Sequence, residues 1–350
     1  MRNTHKTKGE PMAGEAAARS GRRATSADVA KEAGVSRATV SFVLNGTKGQ
    51  TIPEPTRRRV LEAAARLRYA PSAEARTLSR GRSDVVLIYQ PPQLPMSTNL
   101  GALVEFLTAE FAAVGLTAVI HPWARRPDGD VWTAITPVAV LAWDLSDYDA
   151  AAMRRDGVRA VVSLTAESDP VAQWIWGPRE NSIARLQVER LLRAGHRRLG
   201  YARPHDERLA EASERRLKAL RRACAARGVP APVALPIPGD EEGADAAVDA
   251  VAVWRGTVPA VTGVCAHDDV AALAVLAGLR EHGLSAPADL AVIGALDSPA
   301  ARLAAPPLTM VAVDMRDTAR HLAEAVTSLL EGRPIPDGPE VTRVIERQSV

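Results

Sequence analysis

The 350-residue sequence predicts an α/β protein with an all-α head at its N-terminus. Two observations lead to this fold class. Helical repeats separated by glycine and proline occupy residues 26–67, and from residue 84 short apolar runs alternate with helical patterns. Repeated β-α units indicate parallel sheets with helices on both sides. Because the chain is longer than one typical domain, we expect two or three domains.

The formal net charge of +3 is unevenly distributed along the chain. Residues 22–82 contain 13 lysines and arginines against 5 acidic residues, whereas residues 83–350 contain 27 against 34. A basic head on an acidic body indicates one domain that contacts phosphate groups and one that does not. Residues 1–22 are polar and basic, so we expect a disordered arm there.

The composition also indicates a cellular compartment. Cys224 and Cys265 lack the spacing of metal ligands, and so few cysteines fit a reducing environment. The N-terminus lacks the apolar core of a signal peptide, and no apolar run approaches the ~20 residues of a membrane span. We therefore expect a cytoplasmic, nucleoid-associated protein that contacts no membrane and uses no metal or other cofactor.

Residues 25–45 have the pattern of a helix-turn-helix. Thr25 and Asp28 have the spacing of a capping box in front of a short first helix. Gly34 falls where that helix must end in a left-handed turn, which glycine adopts without strain. Ser36 is then placed to cap a second helix.

The second helix has two different faces. Its period brings Val40, Val43 and Leu44 together on the inward face. A helix of this kind can lie in the major groove of DNA, where Arg37 could bind guanine O6 and N7 together. Phe42 has two open roles, contact with a thymine methyl group or packing on the first helix. The candidate DNA-binding residues of this motif are Ser36, Arg37, Ala38, Thr39, Ser41, Phe42 and Asn45.

A third helix is expected after Pro53, with Val60, Leu61, Ala64 and Leu67 on its inward side. An ordinary helical hairpin would explain a lone Gly-Val-Ser turn equally well. The motifs on both sides of the turn distinguish a DNA-binding helix-turn-helix from such a hairpin. They are Asp28-Val29-Ala30, Ala33-Gly34-Val35-Ser36, Thr39-Val40-Ser41, Leu44-Asn45-Gly46, Thr56-Arg57, Val60-Leu61-Glu62-Ala63-Ala64, Tyr69-x-Pro71 and Ala75-Arg76-x-Leu78. In this order and register they resemble the LacI family of bacterial transcription regulators.

The resemblance implies a helix-turn-helix DNA-binding domain over residues 23–70 and a hinge helix over residues 71–82. In that family the hinge folds on the operator as a pair across the dimer axis, and its leucine enters the minor groove. Leu78 occupies that position, and Ala75 lies one turn earlier, where it permits close helix approach. Apolar wedges of this kind unstack a base step and bend the duplex. The alternative is that Leu78 only attaches a linker to the body.

The body begins with an apolar run at residues 85–88, typical of a strand buried on both faces. Further strands are predicted at residues 117–120, 138–141, 160–164, 199–202, 233–237, 261–265 and 291–294. The intervening helices are predicted near residues 99–114, 148–156, 182–194, 211–227, 243–254 and 268–282.

The family resemblance implies that residues 83–350 form a two-lobed, periplasmic-binding-protein-like sensor. The sensor of that family binds a small-molecule effector between its lobes and also joins two chains in a homodimer. Lobe 1 is expected at about residues 83–178 and 309–331, and lobe 2 at about residues 179–308 and 332–350.

The match weakens at the expected effector site. Arg216 keeps the family's arginine, but the glycine and aromatic residue that follow it in relatives are absent. His267-Asp268 replaces an Asn-Asp pair, and Leu296-Asp297 replaces an Asp-Asp pair. Because a sugar pocket needs several fixed polar groups, these losses argue against a simple sugar. Arg216 either binds a carboxylate or phosphate of a ligand or pairs with a carboxylate such as Asp268 in an empty cleft.

The leading hypothesis is a homodimeric repressor that binds a near-palindromic operator in double-stranded DNA and responds to an effector. Two alternatives remain. In the first, the sensor binds no ligand and serves only to dimerise. In the second, the body is an enzyme with a DNA-targeting head. The sequence lacks hydrolase, metalloprotease and nucleotide-binding motifs, and only His267-Asp268-Asp269 resembles a catalytic cluster. We therefore do not expect an enzyme.

Overall fold

The computed structural model describes residues 24–45, 52–69, 83–90, 97–122, 131–143, 145–164, 169–206, 209–239 and 243–350. The chain divides into two compact units, Met1–Ser83 and Asp84–Val350. The predicted arm at residues 1–22 and the predicted hinge helix at residues 71–82, with Ala75 and Leu78, lie outside the described residues.

The N-terminal unit contains helices α1 (Ser26–Ala33), α2 (Arg37–Asn45) and α3 (Glu54–Arg66). Val29, Val40 and Val60 contribute one buried side chain from each helix to a shared apolar core. The predicted inward position of Leu61 is wrong, because its side chain is 49% exposed. Positions three and four residues after Val60 share its helical face, and these are filled by alanines that are buried.

The first sheet of the body contains β1 (Val85–Gln90), β2 (Thr117–Pro122), β3 (Ala139–Ala142) and β4 (Ala160–Ser163). Its strands are parallel and lie in the order β2-β1-β3-β4. Val86 and Ile88 pack on one side, whereas Leu87 and Tyr89 pack on the other, as the two-residue period of a strand requires. The associated helices are α4 (Thr98–Ala113), α5 (Val131–Ile135) and α6 (Asp147–Arg155).

The second sheet contains β5 (Leu199–Pro204), β6 (Val233–Ile237), β7 (Gly263–Ala266), β8 (Ala291–Ala295), β9 (Thr309–Val313) and β10 (Thr342–Ile345). The strand order is β10-β9-β8-β7-β5-β6, and β10 runs antiparallel to β9 in an otherwise parallel sheet. Short helix α7 (Pro170–Trp174) and a π-helical turn (Ile175–Arg179) precede this half of the body. The remaining helices are α8 (Glu180–Arg193), α9 (Ala210–Ala225), α10 (Gly243–Gly256), α11 (Asp269–Glu281), α12 (Pro299–Leu303) and α13 (Met315–Leu330).

One predicted lobe boundary is corrected by the sheet order. The sequence analysis places residues 309–331 in lobe 1, but β9 is hydrogen-bonded between β8 and β10 of the second sheet. Every residue of β9 is buried, so the strand belongs to the interior of that sheet. The following helix, α13, packs instead against α4, β3 and β4 of the first sheet. The chain therefore returns to the first sheet after Val313, and the other predicted lobe limits stay predictions.

Candidate nucleic-acid interface and effector site

The turn between α1 and α2 has the predicted geometry. Thr25 N donates to Asp28 Oδ2 at 2.8 Å, and Asp28 N donates to Thr25 Oγ1 at 3.4 Å, which completes the capping box. Gly34 ends α1 with φ 65° and ψ 40°, a left-handed conformation. These local bonds fix the direction in which α2 leaves the turn.

The start of α2 is held by two residues that the sequence analysis also proposes for DNA contact. Thr39 N donates to Ser36 Oγ at 3.1 Å, and the two side-chain hydroxyl oxygens are 2.9 Å apart. The predicted cap at Ser36 is therefore confirmed. Ser36 remains exposed and Thr39 half-buried, so contact of either residue with DNA stays a prediction.

The predicted base-reading side chains of α2 differ in exposure. Arg37 and Ala38 are exposed, whereas Val40 on the opposite face is only 1% exposed. Ser41 and Phe42 are half-buried. In the described part of the head, Phe42 is not among the side chains that pack on the apolar core, so it stays a candidate for contact with a thymine methyl group. The side chain of Asn45 lies outside the described residues.

The head also carries exposed basic side chains on its other two helices. Lys31 on α1, and Arg58 and Arg59 on α3, are exposed. Side chains of this type contact DNA phosphates, which position a protein on the duplex without reading its sequence. The head therefore combines a capped recognition helix with exposed positive charge.

In the body, Arg216 on α9 pairs with a carboxylate of the protein, which was one of the two predicted alternatives. Its side chain is 2% exposed, and Nε donates to Glu180 Oε2 at 2.5 Å. Nη1 donates to the backbone carbonyl oxygen of His267 at 3.3 Å. Burial favours a raised pKa for Glu180, but Arg216 and Arg179 outweigh it and hold that pKa below its ordinary value. The carboxylate that pairs with Arg216 is Glu180, not Asp268, which the sequence analysis had named as an example.

His267, directly after β7, is buried and neutral. Its Nδ1 lies 2.8 Å from the hydroxyl oxygen of Tyr201 on β5. Burial and the neighbouring guanidinium of Arg216 lower the pKa of His267 from 6.5 to about 3. Asp268 is also engaged within the protein, because its Oδ1 accepts from Ala271 N at 2.8 Å and caps α11. Burial raises the pKa of the Asp268 carboxyl group.

Replacing His267 by glutamine is expected to flatten the loss of stability on acidification. A buried neutral histidine costs free energy when it must be protonated, so wild-type stability declines as the pH falls from 6.5 towards 3. The pKa of Glu180 is lowered below 4.5, so its contribution is lost only at more acidic pH. The raised pKa of Asp268 makes stability rise as the pH falls, which is opposite to the effect of His267. Because Asp268 is present in both proteins, it does not contribute to the difference between them. Denaturant unfolding of both proteins at pH 4.5–6.5 measures the difference, and parallel curves would contradict this role of His267.

Leu296 and Asp297, directly after β8, form a separate group of contacts. Asp297 receives two parallel hydrogen bonds from Arg347, at 2.7 and 2.8 Å, in a bidentate pair. Leu296 adopts a left-handed conformation with φ 61°, and its carbonyl oxygen accepts from Asn99 Nδ2 at 3.0 Å. Asn99 lies in the first turn of α4, which packs with the first sheet, whereas Leu296 follows β8 of the second sheet. This hydrogen bond therefore links the two halves of the body. Binding of an effector by Leu296 or Asp297 stays a prediction.

The structure thus brings Arg216, His267 and Asp268 close together, as the sequence analysis proposed, and holds Asp297 in another network. Glu180 and Tyr201 are the polar residues of this cluster that sequence reasoning missed. In the part of the chain that the structure describes, no group of three or more His, Cys, Asp or Glu side chains is placed to hold a metal ion. Among the described helices, none combines the length and apolar character needed to cross a membrane.

Two parts of the chain match known protein families. Residues 25–72 match the bacterial regulatory proteins of the lacI family, and residues 188–350 match the periplasmic binding protein-like domain. The HTH-type transcriptional regulator CelR of Thermobifida fusca is 30% identical over 325 residues, with 89% of this chain and 93% of the relative covered. The HTH-type transcriptional repressor PurR of Photobacterium profundum is 27% identical over 345 residues, with 92% and 95% covered.

Solved structures agree with these sequence matches. The complex of transcriptional regulator CelR with cellobiose is 25% identical, with a TM-score of 0.60 and coverage of 94% of this chain and 100% of that chain. The lac repressor dimer bound to operator and the anti-inducer ONPF has a TM-score of 0.72 at 21% identity, with 94% and 99% covered, which shows likeness of fold. The resemblance in the head and the order of domains are confirmed. This chain belongs to the LacI family of bacterial transcription regulators, with a helix-turn-helix head followed by a periplasmic-binding-protein-like domain.

Proposed function

We propose that this protein is a sequence-specific transcriptional repressor that binds a near-palindromic operator as a homodimer. The observation that carries this proposal is α2, which is capped at Ser36, packed through Val40 and Val43, and exposes Arg37 at its start. Relatives named as transcriptional repressors support repression rather than activation. The two α2 helices of a dimer would read two half-sites, while exposed basic residues bind phosphates.

A small molecule in the cleft between the lobes changes operator affinity in this proposal. A coupling of this kind is typically worth about 1–3 kcal/mol. The relative CelR has been solved in complex with cellobiose, but this chain has His267 and Leu296 at two positions where the family has polar ligands. We infer an effector other than a simple sugar.

A second candidate function is a regulator whose sensor binds no ligand and serves only to dimerise. Two observations favour it, because Arg216 is already paired with Glu180 and Asp297 with Arg347. A metabolite screen that follows thermal unfolding separates the two candidates. A ligand of the folded state raises stability by mass action, whereas a sensor without a ligand responds to none of the compounds.

The hinge segment carries its own prediction. Replacing Leu78 by alanine removes the proposed minor-groove wedge, so we expect operator affinity to fall much more than affinity for unrelated DNA. Fluorescence anisotropy with an operator duplex and a scrambled duplex measures both affinities. An equal loss on the two duplexes would show that Leu78 only attaches the linker.

We further propose that the protein acts in the cytoplasm on nucleoid DNA and catalyses no reaction. The family consists of transcription regulators, which supports both points. In the predicted catalytic cluster, His267 is held neutral by burial and hydrogen-bonded to Tyr201, and Asp268 accepts from Ala271 N as the cap of α11. Ligand binding without turnover would support the proposal, and formation of a product would contradict it.

The repressor function is tested with a library of random operator sequences placed across a promoter in a bacterial host. Expression of this protein is expected to silence promoters that share a near-palindromic sequence. Activation of the selected promoters would overturn the repressor assignment. Silencing that no shared sequence explains would overturn specific DNA binding altogether.

A further inference from the structure

The turn that follows β8 is fixed to the second sheet by several hydrogen bonds. Leu296 N donates to the backbone carbonyl oxygen of Val311 on β9 at 2.9 Å. Asp297 is held by its bidentate pair with Arg347, and Arg347 Nη1 also donates to the backbone carbonyl oxygen of Leu308 at 2.7 Å. These bonds leave the turn little freedom to move relative to the sheet.

Leu296 adopts a backbone conformation in this turn that leucine rarely takes. Its φ of 61° lies in the left-handed region, where the side chain of an L-residue crowds the backbone. Residues persist in such conformations only where the surrounding structure determines them from several directions. The half-buried side chain of Leu296 packs against the apolar core, and its backbone N–H is bonded to β9. The carbonyl oxygen of Leu296 is therefore held in one defined direction.

Asn99 on the first half of the body meets this carbonyl oxygen. Its Nδ2 donates to the carbonyl oxygen of Leu296 at 3.0 Å, and the contact is partly buried. Ser97 Oγ accepts from Leu100 N at 3.2 Å and caps α4, which fixes the helical turn that carries Asn99. Two turns that are each fixed by their own contacts thus meet through a hydrogen bond that is partly shielded from water.

This hydrogen bond is made by the protein alone and crosses between its two halves. The helix that carries Asn99 packs on β2 of the first sheet and on α13, whereas Leu296 follows β8 of the second sheet. Two-lobed binding domains close around ligands by hinge motion. Separating the halves here would break the bond and leave a partly buried carbonyl oxygen and amide group to find other partners, which costs free energy.

We propose that the Asn99–Leu296 hydrogen bond is a latch, which holds the two halves of the body together before an effector binds. Opening of the latch is the structural change through which the sensor alters operator affinity. The latch requires the amide group of Asn99 and the backbone carbonyl oxygen of residue 296, but not the leucine side chain. The second part of this inference rests on the proposed function, whereas the first part concerns the body alone.

Asn99→Asp is the decisive variant, because it replaces the donor of the latch by an acceptor of nearly the same shape. A carbonyl oxygen can only accept, so the ionised carboxylate cannot form the bond. Aspartate in the first turn of α4 is favoured by the positive end of the helix, so the helix itself should keep its stability. Thr98→Ala is the matched control, since Thr98 is exposed in the same turn.

Leu296→Gly separates the backbone bond from the packing of the leucine side chain. Glycine adopts a left-handed conformation without strain and keeps the carbonyl oxygen, so we expect the latch to stay closed in this variant. If Leu296→Gly opens the body as Asn99→Asp does, then side-chain packing holds the halves together, and the proposal fails.

The distance between two spin labels, one on each half of the full-length protein, reports the state of the latch. Arg155→Cys on α6 and Lys218→Cys on α9 are exposed attachment points. Cys224 and Cys265 are buried, so they should stay unlabelled. Labelled chains are mixed with an excess of unlabelled chains, so that a dimer carries at most one labelled chain.

Pulsed electron spin resonance is expected to give one narrow distance for wild type, Thr98→Ala and Leu296→Gly. For Asn99→Asp we expect a longer or broader distribution of distances, because the halves are no longer joined by the latch. A distribution for Asn99→Asp that matches wild type, or a change of equal size in Thr98→Ala, would overturn the latch.

Operator affinity of the same variants tests whether the latch is coupled to DNA binding. We expect Asn99→Asp to change operator affinity by about fivefold or more, while Thr98→Ala leaves it unchanged. An opened body in Asn99→Asp with unchanged operator affinity would overturn the second part of the inference. Wild type that binds no operator would refute the repressor assignment alone, because the spin-label distances still test the latch.

Discussion

Replacing Glu180 by glutamine is expected to lower the free energy of unfolding by about 3–5 kcal/mol, the usual cost of removing one partner of a buried ion pair. Glutamine has nearly the same shape and can still accept from Arg216, so the loss reports the missing charge. It leaves two guanidinium groups, whose side chains are 2% and 15% exposed, with no carboxylate between them. Chemical denaturation of the wild type and the variant at neutral pH measures the difference.

Glu189 on the same helix provides the control for this experiment. Its side chain is 24% exposed and forms ion pairs with Arg185, Arg193 and Arg227 near the surface. Solvent screens such pairs, so Glu189→Gln is expected to cost no more than about 1 kcal/mol. If the two variants lose equal stability, then burial does not strengthen the Glu180–Arg216 ion pair relative to the ion pairs near the surface.

Replacing Arg37 by alanine is expected to reduce operator affinity by about 1–3 kcal/mol in each half-site. Arg37 is exposed at the start of α2, and its side chain can bind both acceptors of a guanine in the major groove. We expect Arg37→Ala to bind the operator more weakly than wild type does. On an operator in which the contacted base pair has been changed, the two proteins should bind almost equally. Competition binding with the two duplexes checks this pattern.

Arg58 supplies a control with a different expected behaviour. It is exposed near the start of α3, where contacts with phosphate set position rather than sequence choice. Arg58→Ala is therefore expected to weaken binding to all duplexes equally and to reduce the salt dependence. An Arg37→Ala variant that behaves in the same way would show that Arg37 also contacts only phosphate.

The head could be predicted closely from sequence because local rules determine it. The Thr25–Asp28 capping box, the left-handed Gly34 and the Ser36 cap each depend on residues within four positions of one another. The predicted inward position of Leu61 is wrong because the buried side of α3 is formed by Val60, Ala63 and Ala64. Its neighbours Ala63 and Ala64 are small, yet they are the residues that meet α1 and α2.

The body was harder to predict because its decisive contacts are long-range. Arg216 is a clear candidate from sequence, but its partner Glu180 lies 36 positions away. Arg347 likewise reaches Asp297 across 50 positions. The pairing of carboxylates with guanidinium groups depends on how α8 and the C-terminal segment pack on the second sheet. This packing cannot be predicted from a local sequence pattern.

Strand β9 illustrates the same limit. The sequence analysis placed residues 309–331 in the first lobe, so Thr309 was expected to leave the second sheet. In the structure the apolar run Thr309–Val313 pairs with β8 on one side and β10 on the other. Only the hydrogen-bonding partners distinguish such a strand from a connecting segment.

An in-vitro selection of random double-stranded DNA by the full-length protein tests most directly the central claim that paired α2 helices read an operator. We expect enrichment of a near-palindrome with a guanine in each half-site at the position that Arg37 contacts, and a flexible pyrimidine–purine step at its centre. Recovery of no shared sequence, with binding that simply fades as the salt concentration rises, would contradict the claim and reduce the head to an electrostatic anchor.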